Sequence, residues 1–331
     1  MSNVLINFYN TYLNETSVVS GPKEKEGPLG NCFDYSFSSE MGNEISYEKA
    51  EIEYSKTSLA ILYKKTGNYH PDICFGGDLT DEIAISNQVA MQLDNSFVGV
   101  YGACSTLILS MILGSVFVSN NIVTSSVAFT SSNYGTAERQ FRYPINYGCQ
   151  KKETTTITTT GGVSCYISRT KSKIKITRGT IGNVEDIGWD NAYDMGSPMT
   201  YAAYKTIKAH FEMTNTLPKD YDLILTGDLS KIGSKILIDM FKKEGIDFFN
   251  HVDGGCLIYG NEKKYFSGGS GAACIGLVGL GYVKKMMELG RYKRVLMVGT
   301  GALHSKTCVN QKSHIPVVAH AIELEVEDDI F

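Results

Sequence analysis

The sequence predicts an α/β protein built from two similar halves, residues 1–172 and 173–331, stacked as five layers in the order α, β, α, β, α. Three observations predict this fold. A strand-like segment ending in Gly-Asp-Leu occurs twice, a small-residue turn before an apolar helix occurs twice, and both pairs keep the same order. Strands that alternate with helical crossovers favour mixed, mostly parallel sheets.

The first repeated pair consists of Pro71–Thr80 and Asp220–Ser230. Each has a polar start, an apolar run, and then Gly-Asp-Leu with a hydroxyl residue. The aspartates of the two segments, Asp78 and Asp228, are 150 residues apart. The helix-like segments that follow them are 83–93 and 236–244.

The second repeated pair consists of Gly102–Thr106 and Gly271–Ile275, each followed by a helical stretch and a strand. Cys104 and Cys274 are 170 residues apart, so the second half carries about 20 extra residues, which we expect around 250–267. Short strand-turn-helix units also resemble one another by chance, and this alternative stays open. Two ordered matches with similar spacing favour duplication.

Composition excludes some partners. The net charge of −4 leaves no excess of cations to neutralise phosphates, so nucleic acid is not expected as a partner. The start of the chain lacks a signal-peptide pattern, and the apolar run Leu107–Val118 is too short to span a bilayer. Membrane association would then be peripheral. The eight cysteines form no CxxC pair, and we predict no metal site.

Several segments resemble the thiolase superfamily, which has the five-layer duplicated fold. They are Phe75–Leu79 with Asn87–Ala90, the Gly-Ala-Cys-Ser sequence Gly102–Ser105, and the glycine-rich turn Gly268–Cys274. The resemblance implies a thiolase fold over nearly the whole chain. It also implies that Cys104 occupies the nucleophile position, beside Ser105, and that Gly269 and Ser270 border the same site.

Longer strings resemble the stage V sporulation protein AD (SpoVAD) family: 21–30, 136–144, 193–197, 225–230 and 315–320. This resemblance implies a spore or forespore protein that binds dipicolinic acid, or its Ca²⁺ chelate, for uptake into the forespore. It implies that the protein acts together with the other SpoVA membrane proteins at the inner spore membrane. It implies no cofactor except Ca²⁺ carried with the ligand. Thiolase-like proteins usually pair, so a homodimer is also expected.

The thiol of Cys104 is placed where a nucleophile would be useful. A helix start favours a thiolate and offers N–H groups to an oxyanion. The alternative is a small residue packed at a tight turn. A condensing enzyme also needs a base or donor pair facing the sulfur. By the resemblance, one histidine would end the strand at Thr226, where this chain continues with Gly227 and Asp228.

The other supporting groups of a condensing enzyme are also missing from the expected positions. The turn 268–271 contains only glycine and serine, and the loop comparable to the second thiolase cysteine contains no cysteine. His320 is the one candidate there, as a ligand-facing imidazole or as a hydrogen-bonded core histidine. We predict no direct role for the remaining histidines: His70, His210, His251, His304 and His314.

A flat dianion such as dipicolinate needs cations and an apolar or aromatic wall. Arg139 and Arg142 lie together in one loop and are candidates, with a dimer contact or a surface salt bridge as the alternative. Lys23 and Lys25 lie in the string 21–30, where we expect a solvated charge run.

Asp78 and Asp228 end equivalent strands. They would cap the following helices or would hold Ca²⁺ carried with the ligand.

Three hypotheses for function remain. The first is a non-catalytic thiolase homologue that binds dipicolinate in the old acyl pocket. The second is an active acyltransferase or β-ketoacyl synthase that uses Cys104. The third is a structural scaffold of a membrane transport complex.

Overall fold

A computed structural model of the chain describes residues 3–141 and 151–327. The elements before residue 170 are β1 (Val4–Asn7), β2 (Tyr12–Ser20), α1 (Pro22–Glu26), β3 (Tyr35–Ser36), α2 (Tyr47–Lys65), β4 (Ile73–Gly77), α3 (Ala84–Ala90), β5 (Ser96–Gly99), α4 (Thr106–Ser119), β6 (Ser125–Ser132), α5 (Tyr134–Phe141), β7 (Thr156–Thr158) and β8 (Gly161–Ser168).

The elements after residue 170 are β9 (Ile174–Ile181), α6 (Gly196–Thr214), β10 (Leu223–Thr226), α7 (Ser230–Lys243), β11 (His251–Asp253), α8 (Gly254–Tyr259), β12 (Gly268–Ser270), α9 (Cys274–Gly276), α10 (Lys284–Glu288), β13 (Arg294–Ala302), α11 (Lys306–Asn310) and β14 (Val317–Val326). A π-helical segment, Leu277–Val283, joins α9 to α10 without a break.

The strand order β5-β4-β6-β8-β2 is matched by β11-β10-β13-β14-β9. In each set four of the five strands run in one direction and one runs against them. The sets join where Tyr12 and Leu13 pair with Lys175 and Ile174, and β7 pairs with β12 as a separate parallel ribbon. The α/β fold with mixed, mostly parallel strands is therefore confirmed. The division of the chain at 172/173 stays a prediction.

Helix α4 lies between the two strand sets and contacts both, whereas α2 and α6 cover their outer faces. Leu107, Ile108, Met111 and Ile112 of α4 are all fully buried. A helix that is apolar on every side belongs in such an interior layer. The predicted buried helix is confirmed. None of the helices in the described ranges is both long and apolar enough to cross a bilayer.

One helix begins earlier than the sequence predicts. Helix α7 begins at Ser230, six residues before the predicted start, because the buried carboxylate of Asp253 accepts hydrogen bonds from the Leu229 and Ser230 amides at 3.0 and 2.8 Å. That acceptor comes from β11 and cannot be read from the local sequence. The stretch 250–267, where the repeat spacing predicts about 20 extra residues, contains β11 and α8.

A buried carboxylate, Glu323 of β14, ties the outer helix α6 to three strands. Its donors are Thr177, Arg178, Arg294, Tyr221 and His210, at 2.7, 3.0, 3.0, 2.7 and 3.3 Å. Burial acts to raise the pKa of Glu323, but the hydrogen bonds and the Arg294 charge outweigh it and hold the pKa well below its usual value.

We predict that Glu323→Gln destabilises the protein by about 3 kcal/mol, because two arginines lose their charged acceptor in a buried place. Denaturant unfolding at neutral pH measures this change. The control is Glu325→Gln on the same strand, whose partner Arg294 lies 3.1 Å away but whose side chain is 38% exposed. It should lose less than about 1 kcal/mol. Equal losses in both variants would contradict the assignment.

Candidate functional site

The turn before α4 presents Cys104 in a strained conformation. Ala103 has a φ of +50°, in the left-handed region that non-glycine residues seldom adopt. Two side chains hold the turn: the hydroxyl of Ser105 donates to the Gly102 carbonyl at 2.6 Å, and that of Thr106 donates to the Ala103 carbonyl at 2.7 Å. The Ser105 hydroxyl is thus used inside the turn, and Ser105 does not line the cavity described below.

Two glycines of β13 pack directly against this turn. A Cβ on Gly301 would lie 2.3 Å from the Gly102 carbonyl oxygen, and one on Gly299 would lie 2.8 Å from a side-chain carbon of Ile108. A larger residue has no room at either position. The place of Cys104 is therefore set by a strand of the second half as well as by its own helix.

Cys104 lines a small, partly open cavity of about 40 Å³. Such a volume holds roughly three water molecules. The apolar lining includes Leu79, Ala137, Phe141, Met195, Met199 and Ala302. Among the described lining residues there is no lysine or arginine. The glycine-rich turn contributes Ser270 and Gly271, as the resemblance implied for Ser270. Gly269 instead accepts a hydrogen bond from Ser230 through its carbonyl.

His304 lines the same cavity, although the sequence predicted no direct role for it. Its ring is buried and meets Phe141 edge-to-face, with centroids 5.2 Å apart. It is the only imidazole among the described lining residues. The signal that points to it is the Gly-Thr-Gly end of β13, since strand ends gather functional groups in α/β proteins.

His320 lies on β14 and does not belong to the described lining of the cavity. It is 5% exposed, and its Nδ1 accepts a hydrogen bond from the Gly182 amide at 3.2 Å. Burial lowers the pKa of His320 to about 4, so the ring is neutral at pH 7. This placement fits the core histidine that the sequence left as an alternative. A ligand role for His320 stays a prediction.

The predicted arginines are not brought to the described part of the cavity. Arg139 is half exposed and pairs with Glu48 at 3.1 Å, as in the surface salt bridge given as the alternative. Arg142 lies outside the described residues. The neighbouring Gln140 donates to Asp81 at 3.0 Å, on the outer side of the site.

Asp78 organises the turn into α3. Its carboxylate accepts hydrogen bonds from the amide and hydroxyl of both Thr80 and Ser86, with the two amides at 2.8 and 2.7 Å. These four donors leave no free coordination for a ligand. Of the two roles predicted for Asp78, helix capping and Ca²⁺ binding, the structure shows capping of the turn into α3.

Asp228 behaves differently from its repeat partner. It is fully buried, and neither carboxylate oxygen meets a donor at hydrogen-bonding geometry within the described ranges. Burial, and then the charge of Asp253, raises the pKa of Asp228 well above its usual value, and the nearby Gly271 amide, although outside hydrogen-bonding geometry, offsets part of this shift. A neutral carboxyl thus lies behind Gly271, at the strand end where the resemblance places a histidine in ketoacyl synthases.

An open mouth of about 370 Å³ adjoins the cavity and shares Tyr101 and His304 with it. Its rim carries Asp81 and Glu82, and Glu82 and Ile83 both have positive φ, at +56° and +49°. We call the cavity and mouth together the Cys104 cleft. Two carboxylates at its entrance disfavour a free dianion.

The duplicated fold and the cysteine turn define a thiolase-like protein. A variant of OleA from Xanthomonas campestris has the same fold, with a TM-score of 0.62 at 12% identity over 97% of this chain and 99% of the other. The 3-oxoacyl-(acyl carrier protein) synthase III of Xanthomonas oryzae pv. oryzae gives 0.60 at 14% identity over 97% and 100%. At these identities the likeness shows the fold alone.

The family model of stage V sporulation protein AD matches residues 4–325. Stage V sporulation protein AD of Bacillus subtilis (strain 168) is 41% identical over 317 residues, which cover 95% of this chain and 94% of that protein. This chain therefore belongs to the stage V sporulation protein AD family, and its role is in sporulation.

We predict that Asp228→Asn gains stability relative to the wild type as the pH rises. The wild type must protonate Asp228 on folding, because its folded pKa is above its unfolded pKa, and this costs more as the pH rises between those values. The difference should grow by up to about 1.4 kcal/mol per pH unit from the unfolded pKa of an aspartate, about 4, up to the raised folded pKa. Urea unfolding at three pH values measures it.

The matched control is Asp78→Asn. It should be destabilised at every pH, because the donors of Thr80 and Ser86 lose a charged acceptor. A stability difference for Asp228→Asn that does not change with pH would contradict the neutral carboxyl.

Proposed function

We propose that this chain binds dipicolinic acid during sporulation and does not catalyse condensation. Asp228 is the observation that argues against condensation activity. A buried, neutral carboxyl stands where a condensing enzyme would place a proton-transferring histidine. The turn 268–271 supplies no imidazole either. His304 alone cannot act as the paired base and donor that condensation requires.

Dipicolinate as the ligand is supported by the family to which the chain belongs. The old acyl pocket, with Cys104, His320 and either Arg139 or Arg142 around it, is the site that the sequence predicted. A cavity of about 40 Å³ is too small for a pyridine ring with two carboxylates. The ligand would need the outer mouth or another site. The Ca²⁺ chelate, which carries no net charge, suits the rim of Asp81 and Glu82 better than the free dianion.

The resemblance also implies how the protein assembles. It implies a homodimer, contact with the other SpoVA membrane proteins, and a place at the inner membrane of the forespore. A scaffold role is the remaining function if the chain neither binds dipicolinate nor transfers acyl groups.

An acyltransferase is the second candidate, favoured by one specific observation. A thiol at a helix start and an imidazole, Cys104 and His304, line one cavity. Such a pair resembles the start of an acyl-transfer site, in which a base activates the nucleophile.

We expect saturable heat when dipicolinate is titrated calorimetrically into the wild-type protein at neutral pH, because a site selected for a dianion supplies charge-assisted hydrogen bonds. The titration is repeated with equimolar Ca²⁺ to learn which form binds. Benzoate, with one carboxylate on the same kind of ring, is the control and should bind more weakly. The absence of binding in calorimetry and in equilibrium dialysis would reject the ligand.

We expect no covalent product when the protein is incubated with acyl-CoA and its intact mass is measured, because the base pair for acyl transfer is incomplete. Cys104→Ala serves as the comparison. An acyl adduct on the wild type that is missing from Cys104→Ala would favour the acyltransferase over the non-catalytic binder.

A further inference from the structure

The end of the molecule opposite the Cys104 cleft carries a concentration of cations that the proposed ligand site does not use. The segments 169–175 and 284–294 contain nine lysines and arginines and a single acid, Glu288, although the whole chain has a net charge of −4. We propose that this end, which we call the basic face, docks on an anionic lipid surface. This inference rests on the proposed place at a membrane and is independent of the ligand in the cleft.

Backbone and side-chain hydrogen bonds hold the two cationic segments side by side. Residues 169–175 connect β8 to β9 across the start of β2, where the side-chain amide of Asn14 donates to the Thr170 carbonyl at 2.7 Å. The ammonium group of Lys173 donates to the carbonyl of Glu288, in the second segment, at 2.5 Å. The cations of both segments therefore belong to one fixed surface.

Several charges of the basic face are open to solvent. Four of its cations are exposed and form no ion pair with the acids of the described ranges: Arg169, Lys173, Lys285 and Arg291. Lys171 lies 3.7 Å from Glu327 and is itself 66% exposed. Lys284 and Arg294 are held in closer ion pairs and contribute less. A cluster of this kind attracts an anionic surface even though the chain as a whole is acidic.

Exposed apolar side chains lie at the same end. Leu289 is 68% exposed and directly follows α10, between the cations of the second segment. Tyr9 and Ile122 are 70% and 61% exposed, and both lie at the end of α4 that is remote from the cleft, where the Tyr9 amide donates to the Ser119 hydroxyl at 2.8 Å. Apolar side chains among cations suit a lipid interface, because the cations stay with the headgroups while the apolar groups enter the acyl boundary. A nucleic acid backbone would gain nothing from Leu289.

Strand β13 connects the basic face to the Cys104 cleft. It begins at Arg294 and ends at Ala302, which lines the Cys104 cavity. Nine residues of strand place these two ends roughly 26 Å apart. A molecule docked by the basic face would hold the mouth of the cleft away from the lipid. The carboxylates of Asp81 and Glu82 at that mouth are repelled by an anionic surface, so the charge distribution favours this orientation.

The test measures by co-sedimentation how the full chain partitions onto lipid vesicles. We expect binding to vesicles of equal parts phosphatidylglycerol and phosphatidylcholine, weakened by salt, and no binding to phosphatidylcholine alone. Arg169→Gln/Lys173→Gln should bind the anionic vesicles more weakly, by roughly five-fold for each cation removed. The matched control is Lys235→Gln/Lys306→Gln, which removes two exposed lysines outside the basic face and should bind as the wild type does.

The apolar part of the basic face is tested by Leu289→Ser. This variant should bind the anionic vesicles about ten-fold more weakly, because an inserted leucine side chain is lost. Ile45→Ser is the control, since Ile45 is 82% exposed at the start of α2 and lies outside the basic face. Unfolding temperatures should be unchanged in all variants, because every altered side chain is exposed.

Three results would overturn the basic face: a wild type that binds no vesicles, equal binding by the wild type and the basic-face variants, or binding to short duplex DNA as tight as binding to anionic vesicles. The last would show that the face recognises charge alone. Calorimetry separates this inference from the ligand. Arg169→Gln/Lys173→Gln should bind dipicolinate as the wild type does. A wild type that binds no dipicolinate would reject the ligand, whereas the vesicle result alone decides the basic face.

Discussion

The contact between β13 and the turn that begins α4 determines the shape of the candidate site. Gly301 and Gly299 leave no room for a side chain against Gly102 and Ile108. This contact packs a strand of one set against the turn that contains Ala103, whose φ is +50°. It is a constraint of packing and not of reactivity. The shape of the turn therefore does not depend on which chemical groups surround the cleft.

The two aspartates of the internal repeat illustrate how duplicated units take on different tasks. Asp78 is saturated by the donors of Thr80 and Ser86, whereas Asp253 has taken over the equivalent helix start in the second half. Asp228 therefore does not cap this helix, and its carboxyl is buried and neutral. A neutral carboxyl behind the cavity neither attracts a dianion nor accepts a proton readily at neutral pH.

The sequence was sufficient for features that depend on local pattern and repetition. The duplicated strands, the buried helix α4 and the cysteine turn follow from apolar runs and from matching strings. Other features depend on contacts between distant segments. The start of α7 depends on Asp253, the place of His304 on the packing of β13, and the half-buried state of Lys23 on Tyr134 and Glu40. No local pattern carries such information, because the partners are far apart in the chain.

The central proposal is that this thiolase-like chain uses the Cys104 cleft to bind a ligand and not to condense acyl groups. A crystal structure determined after soaking with dipicolinate tests this claim most directly. We predict ligand density in the outer mouth of the cleft, beside Tyr101 and the rim of Asp81 and Glu82, with Cys104 unmodified. A cleft that stays empty at saturating ligand would contradict the proposal.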